Sequence, residues 1–393
     1  ESCLLAVKTY RDYGKSVKGI KKPEMIIPET AHVAWFKGSE YFGVKIRLAR
    51  LSDSGGVDTE HVKKLINRNT VMILGSAPEY PHGIIDPIEE LGALGQKHRI
   101  PVHIDACVGG FLLPFLKETG RDIPPWDYRV PGVTSVSADI HKYGFAAKGA
   151  STITYRSREY MKHQFFVYQN WPGGVFASPA LLGTRPGGSY AAAWAALMSI
   201  GKEGYREIAQ QIIDTADQIF NAVKAIPELE LVGDPQASLF AVKSIDSSVD
   251  IYAVGDIMEQ QGWHIDRIQR PKALHGMITP LHRQAVETYI KDLNDAVKKA
   301  KEHPNLAMEG SAAMYGMIAD IPMRGMIKKQ VLDMFMSLYD RETAKEALEN
   351  VMSADNGTAG QEGTDEESSP DNSSFAEKAG MLFLKIKRKL SRR

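Results

Sequence analysis

The sequence predicts an α/β protein built on a mainly parallel sheet, followed by a smaller α+β domain toward the C-terminus. Two observations predict it. Short β-branched runs alternate with helical patterns over the first half of the chain, the signature of strands joined by crossover helices. After Tyr190 the pattern changes to long helices separated by short strands. The expected division is residues 1–200 for a large domain, 201–340 for a small one, and 341–393 for a tail.

The elements follow in order. Met25 to Ile27, Val44 to Leu51, Val71 to Ser76, Pro101 to Asp105, Val133 to Ala138 and Ser151 to Tyr155 read as strands. Asp58 to Asn69 and Asp86 to His98 read as amphipathic helices, with Asp58 and Asp86 as N-caps and Pro87 at the first helical position. Tyr190 to Ile226 reads as helix, broken near Gly201 and Gly204 and stopped by Pro227. Strands at 228–232 and 238–245, a helix at 251–261, a strand near 276–279 and a helix near 283–302 complete the smaller domain. Met308 to Tyr339 is Met-rich and helical, with methionine filling core gaps.

The 393 residues carry 48 Lys plus Arg against 48 Asp plus Glu, so the net charge is zero, which argues against a general nucleic-acid binder. An apolar fraction of 43% excludes global disorder. Two cysteines, Cys3 and Cys107, form no disulfide framework and suit a reducing compartment. No apolar run approaches the ~18 residues that span a bilayer. The longest, Ala191 to Met198, suits a buried helix. The chain opens inside a helical pattern without an initiator Met, which predicts further chain upstream. Residues 353–374 contain no Lys or Arg and read as a disordered linker. Residues 375–393 read as a basic amphipathic helix for an anionic membrane surface or a partner, or as a solubilising tail.

Ligands of parallel sheets gather at the carboxyl ends of strands, so those positions carry the candidate chemistry. Ser137-Ala138-Asp139-Ile140-His141-Lys142-Tyr143-Gly144 overlaps one strand end. Desolvation there would favour the neutral Lys142 amine, as imine chemistry requires. His141 and Ser137 are donors able to hold a phosphate beside it. In His103-Ile104-Asp105-Ala106-Cys107-Val108-Gly109-Gly110-Phe111, Asp105 ends a second strand, where it would keep a pyridinium nitrogen protonated or serve as a cap or ion pair. Gly109-Gly110 would let backbone pass close to a ligand. His32, after the strand at 25–27, could stack on a cofactor ring or be an ordinary histidine.

His32, Asp105 and Lys142, in that order, resemble the fold-type I pyridoxal-phosphate enzymes, and the Asp-Ala-x-x-Gly-Gly and Ser-x-Asp-x-His-Lys-x-Gly pair resembles their group II decarboxylase branch. Residues 105–111, His141-Lys142-Tyr143-Gly144-Phe145-Ala146-Ala147-Lys148-Gly149, Gly183-Thr184-Arg185-Pro186-Gly187-Gly188 and Ala313-Met314-Tyr315-Gly316-Met317 resemble the sphingosine-1-phosphate lyase family, over most of residues 1–339.

The resemblance implies pyridoxal 5'-phosphate held covalently by Lys142, with Asp105 on the pyridine nitrogen, His32 on the ring, and His141 and Ser137 at its phosphate. Thr184 would reach the phosphate across a homodimer interface. Lys148 and Tyr315 would contact the substrate phosphate. Tyr80 matches an active-site aromatic position and could relay a proton or pack on its turn. Cys107 marks the lyase, where decarboxylases usually carry Ala. No metal ligands are assigned.

The implied reaction is retro-aldol cleavage of sphingosine 1-phosphate to a long-chain aldehyde and phosphoethanolamine. Its base is left open among Tyr80, Lys142, His32 and a cofactor phosphate oxygen. A Gly-rich phosphate cradle is expected upstream of Glu1, so this chain alone should bind the cofactor weakly or be inactive. Endoplasmic-reticulum anchoring with a cytosolic catalytic domain follows from the same resemblance. The rivals are an amino-acid decarboxylase and a non-catalytic scaffold.

Overall fold

A computed structural model describes residues 1–320, 324–337 and 339. The acidic linker and basic tail expected within 341–393 lie outside the described residues.

The first half alternates as the sequence predicts. It runs α1 (Ser2–Lys18), β1 (Glu24–Pro28), α2 (Ala34–Phe42), β2 (Lys45–Ala49), α3 (Thr59–Leu65), β3 (Thr70–Ser76), α4 (Ile88–His98), β4 (Val102–Asp105), α5 (Leu113–Glu118), β5 (Val133–Ala138) and β6 (Thr152–Tyr155). These strands form one sheet in the order β2-β1-β3-β4-β5-β6. All neighbours are parallel except β5 and β6. The inner strands are buried almost throughout because helices cover both faces, and β3 is buried at every residue. On one face Ala6, Val7 and Tyr10 of α1 and Trp35 of α2 pack with Met25, Ile27, Val71 and Leu74.

Then follow α6 (Arg158–Met161), the hairpin β7 (Phe166–Trp171) and β8 (Gly174–Ser178), α7 (Gly188–Ala225), β9 (Leu229–Leu231), β10 (Leu239–Ser244), α8 (Ile251–Gln260), β11 (Asp266–Gln269), β12 (Lys272–Met277), α9 (Val286–Glu302), α10 (Gly310–Asp320) and α11 (Arg324–Ser337). β9 and β12 pair antiparallel with β10. No described helix is long and apolar enough to cross a membrane.

The chain divides into two compact units. One is Glu1–Asp246 with Ala273–Asp295; the other is Ser247–Lys272 with residues from Ala296 onward. The boundary expected at residue 200 instead meets a kink inside α7, at Gly201 (φ 62°, ψ 177°), and residues 201–246 stay with the first unit.

Other readings are corrected. The apolar run 191–198 is not a buried helix: on α7, Trp194 is 67% and Met198 65% exposed. Asp86 does not cap the helix it precedes; Pro87 occupies that position. Its carboxylate reaches back, accepting the N–H of Val57 at 2.9 Å and of Ser76 at 2.8 Å. Asp58 does cap α3, accepting the His61 N–H at 2.9 Å. The hairpin β7–β8 and helices α2 and α5 were not anticipated.

Asp86 ties the end of β3 to the loop before α3, and burial with the nearby Glu79 carboxylate pushes its pKa up to about 7. The folded state therefore binds the Asp86 proton more tightly than the unfolded chain, whose Asp titrates near ~3.9. That stabilisation is complete below pH ~4 and is lost as pH rises through about 7. Asp86→Asn should remove this slope between pH 4 and 7, while costing about 1–3 kcal/mol for a backbone N–H left without an acceptor. Urea unfolding across that range checks it; identical slopes in both proteins would refute the assignment.

Candidate active site

The registers of β3, β4 and β5 set Ser76, Asp105 and Ser137 side by side at the carboxyl edge of the sheet. A cavity of about 330 Å³ opens there, lined by His32, Tyr80, Asp105, Cys107, Asp139, His141 and Lys142, with Glu1, Ser2 and Cys3 at the start of α1. Gly109 and Gly110 make this edge possible. A Cβ on Gly109 would lie 2.1 Å from the Ala77 carbonyl oxygen, and one on Gly110 2.4 Å from the Ala138 Cβ. The glycine pair therefore admits neighbouring protein backbone and side chain, where the sequence suggested a ligand.

Asp105 is 6% exposed. Burial alone would raise its pKa, but hydrogen bonds from Cys107 and Trp35 outweigh it and hold the carboxyl below its ordinary value. Trp35 Nε1–H donates to Oδ2 at 2.8 Å, and the Cys107 N–H donates to Oδ1 at 3.1 Å. Ser137 Oγ also faces Oδ1, at 3.4 Å, and lies 3.1 Å from His103 Nε2. Ser137 is fully buried beneath Asp105, outside the cavity lining, so the phosphate role expected for it is not the one its position allows. Burial lowers the His103 pKa to about 4, so a neutral ring backs the carboxylate.

Lys142 Nζ lies 3.1 Å from Asp139 Oδ2. The sequence predicted a neutral amine by desolvation. Burial does pull the Lys142 pKa down, but charge on Cys107 and Asp139, the Asp139 hydrogen bond and Asp105 together raise it above the ordinary value. The Cys107 thiol is itself pushed well up, by its contact with Cys3 and then by burial, so near neutrality Asp139 and Asp105 are the negative charges that stand beside Lys142. The loop carrying Lys142 is pinned by Tyr143 Oη, which donates to the Ile278 carbonyl at 2.8 Å, and Tyr205 Oη, which donates to the Gly144 carbonyl at 2.7 Å. His141 Nδ1 donates to the Ala150 carbonyl at 2.5 Å.

Burial pulls the His32 pKa down against the charge of Asp105, which favours a neutral ring. Its Nδ1 accepts the Ala34 N–H at 3.2 Å, which leaves the proton on Nε2. Tyr80 meets the His32 ring edge-on at 6.2 Å and lies against His275 at 4.5 Å.

Besides Ser137, three expected residues are not among those that line the cavity. Thr184 is exposed in the loop before α7, and its neighbour Arg185 pairs with Glu1 at the start of α1. Lys148 is exposed. Tyr315 belongs to the second unit, where it packs on Tyr252 at 5.9 Å beneath Arg267. The sequence reading missed Asp139, although it sits three residues before Lys142 in the quoted motif. It also missed Trp35, on an unanticipated helix, and Cys3 and His275, which only the fold brings here.

The donor set fits pyridoxal phosphate. Asp105 is an ionised acceptor for a ring N–H, Lys142 is an amine for covalent attachment, and His32 is a neutral ring for stacking.

Comparison with known proteins agrees. The pyridoxal-dependent decarboxylase conserved domain matches residues 4–244. Sphingosine-1-phosphate lyase of Oryza sativa is 45% identical over 333 residues, covering 85% of this chain and 61% of that protein. Sphingosine-1-phosphate lyase 1 of Rattus norvegicus is 43% identical, covering 87% and 60%. The chain thus spans about three-fifths of the length of these curated relatives. The solved sphingosine-1-phosphate lyase of Burkholderia pseudomallei aligns with TM-score 0.77 and 40% identity, over 85% of this chain and 72% of that one. Glutamate decarboxylase of Lactobacillus brevis, at 22% identity and TM-score 0.67, shares the fold.

Asp139→Asn should lower the Lys142 pKa, because it removes the nearest negative charge while keeping the side-chain shape. Competitive acetylation of Lys142 across pH, read by mass spectrometry, should show its reactive form appearing at lower pH. An unmoved profile would mean that Asp139 does not control the amine.

Proposed function

This chain belongs to the sphingosine-1-phosphate lyases within the pyridoxal-dependent decarboxylase family, and from that premise we propose that it cleaves phosphorylated sphingoid bases to a long-chain aldehyde and phosphoethanolamine. The observation that carries the reading is the convergence of ionised Asp105, protonated Lys142 and neutral His32 on one cavity.

Bound pyridoxal phosphate supplies an aldehyde that reacts with amines and a ring that accepts the electron pair released by carbon–carbon cleavage. Asp105 holds a proton at the ring nitrogen, and Trp35 keeps that carboxylate ionised and aimed. His32 covers the ring face; a neutral imidazole does so without repelling a protonated pyridine. Lys142 carries the cofactor between turnovers. To react it must give up its proton, and Asp139, 3.1 Å away, is placed to take part in that transfer. Tyr80, on the cavity wall beside His32, is the candidate to hold or move the proton of the substrate hydroxyl. Lys148 and Tyr315 remain the proposed contacts of the substrate phosphate, on the family resemblance alone.

The partner proposed is a second copy of this chain. Trp171 on β7, Val175 on β8, and Leu182, Trp194 and Met198 beyond the hairpin are each more than half exposed, a run of large apolar side chains within residues 171–198 that suits an interface. In such a dimer the loop bearing Thr184 would serve the neighbouring site. An endoplasmic-reticulum location belongs to the same proposal and rests on the family resemblance.

In a chain extended upstream of Glu1, aldehyde release from a phosphorylated sphingoid base should be detectable and should fall by about 10³-fold or more in Lys142→Ala. Carbon dioxide release from glutamate or aromatic amino acids, without aldehyde, would select the decarboxylase reading instead. Trp35→Phe should weaken pyridoxal phosphate binding by about 10-fold, the loss of one hydrogen bond to a charged group, measured by absorbance titration. Replacing Trp171 and Trp194 together by Glu should yield a monomer by sedimentation; a wild-type monomer would refute the dimer.

A further inference from the structure

The sequence contains two cysteines, 104 positions apart, and the fold brings their sulfurs to 3.7 Å in the cavity wall. Cys3 Sγ also lies 3.9 Å from Asp105 Oδ2. All three candidate ligand atoms fall within 4.8 Å of one another. We propose that Cys3, Cys107 and Asp105 form a binding site for a thiophilic divalent cation of the zinc class.

The spacing fits. With zinc–sulfur bonds of about 2.3 Å, the sulfurs of a tetrahedral site stand about 3.8 Å apart. With a zinc–oxygen bond of about 2.0 Å, the sulfur–oxygen edge is about 3.5 Å, so Cys3 and Asp105 at 3.9 Å close by a few tenths of an ångström, and the Cys107–Asp105 edge, within 4.8 Å, closes by about 1 Å at most. Two soft thiolates with one carboxylate select zinc, cadmium or cobalt over magnesium or calcium. The carboxylate is already oriented: Trp35 holds Oδ2 and the Cys107 N–H holds Oδ1. The three ligands line the cavity, so the fourth coordination position faces open space for a water. Binding displaces one proton from each thiol and forms two metal–sulfur bonds without any change of oxidation state. Two thiolates and one carboxylate around a dication leave the loaded site with one negative charge, which the Lys142 ammonium on the same wall offsets.

Occupation would take Asp105 away from a pyridine nitrogen. Resting on the cofactor reading above, the cation and pyridoxal phosphate therefore exclude one another, and the cation acts as an inhibitor that the loaded enzyme resists.

Titration of the pyridoxal-free chain with cobalt(II) tests the site directly. One equivalent should produce a thiolate-to-cobalt charge-transfer band and visible bands of tetrahedral intensity. Cys3→Ser and Cys107→Ser should each weaken binding by at least about 10-fold, and the double variant should lack the charge-transfer band. Cys3→Ala, checked for native circular dichroism, separates loss of a ligand from loss of fold. Absence of the band in the wild-type chain, or its persistence in the double variant, would overturn the proposal. A second titration after loading with pyridoxal phosphate should show cobalt uptake suppressed. Unhindered uptake beside the cofactor's own absorbance would overturn the exclusion. Failure of the cofactor to bind even to a chain extended upstream of Glu1 would refute the cofactor reading and leave the cobalt result standing.

Discussion

A carboxylate can stay ionised away from water only if donors surround it, and Asp105 is the group around which this molecule is arranged. The indole of Trp35, the Cys107 N–H and the neighbouring thiols and hydroxyl supply those donors. Without them, desolvation would hold the carboxyl protonated, and it could not keep a proton on a pyridine nitrogen. Each donor comes from a different element. The indole hangs from α2, the hydroxyl from β5 and the Cys3 thiol from α1, so the ionisation state of one residue is a property of the whole first half of the chain.

The sheet makes that possible. Parallel strands joined by right-handed crossovers end at one edge, and the registers of β3, β4 and β5 bring Ser76, Asp105 and Ser137 level. Strands buried on both faces leave polar side chains at their ends as the exceptions, and here those exceptions are the site. Gly109 and Gly110 let the segment after Asp105 lie against the ends of β3 and β5. Asp86 fastens the end of β3 from the other side through the Ser76 N–H.

The charge balance at Lys142 shows a second consequence. Desolvation and ion pairing compete there, and the ion pair wins because Asp139 shares the same short turn, 3.1 Å from the amine. The resting amine is thus held as the ammonium, and its proton has to leave before the amine can react. The Cys3–Cys107 pair stands on a different footing: two sulfurs in contact that a cation would bind as thiolates, with Asp105 as the shared ligand.

Much of this was legible in the sequence. Periodicity and caps marked the alternating strands and helices, because burial on both faces of a parallel sheet leaves a pattern that needs no partner to be read. Lys142, Asp105, His32 and Tyr80 were legible because strand ends and short motifs are local. What stayed hidden depends on contacts between distant segments. The indole over Asp105, His275 against Tyr80 and the pairing of two cysteines 104 residues apart follow from how α1, α2 and β12 pack. Ser137 reads as a phosphate donor along the chain, yet it faces His103 and Asp105 because neighbouring parallel strands in register point their side chains the same way. The sequence determined which residues stand at the sheet's edge. The tertiary structure decided their protonation, since a charge's free energy depends on everything within a few ångströms, whatever its distance along the chain.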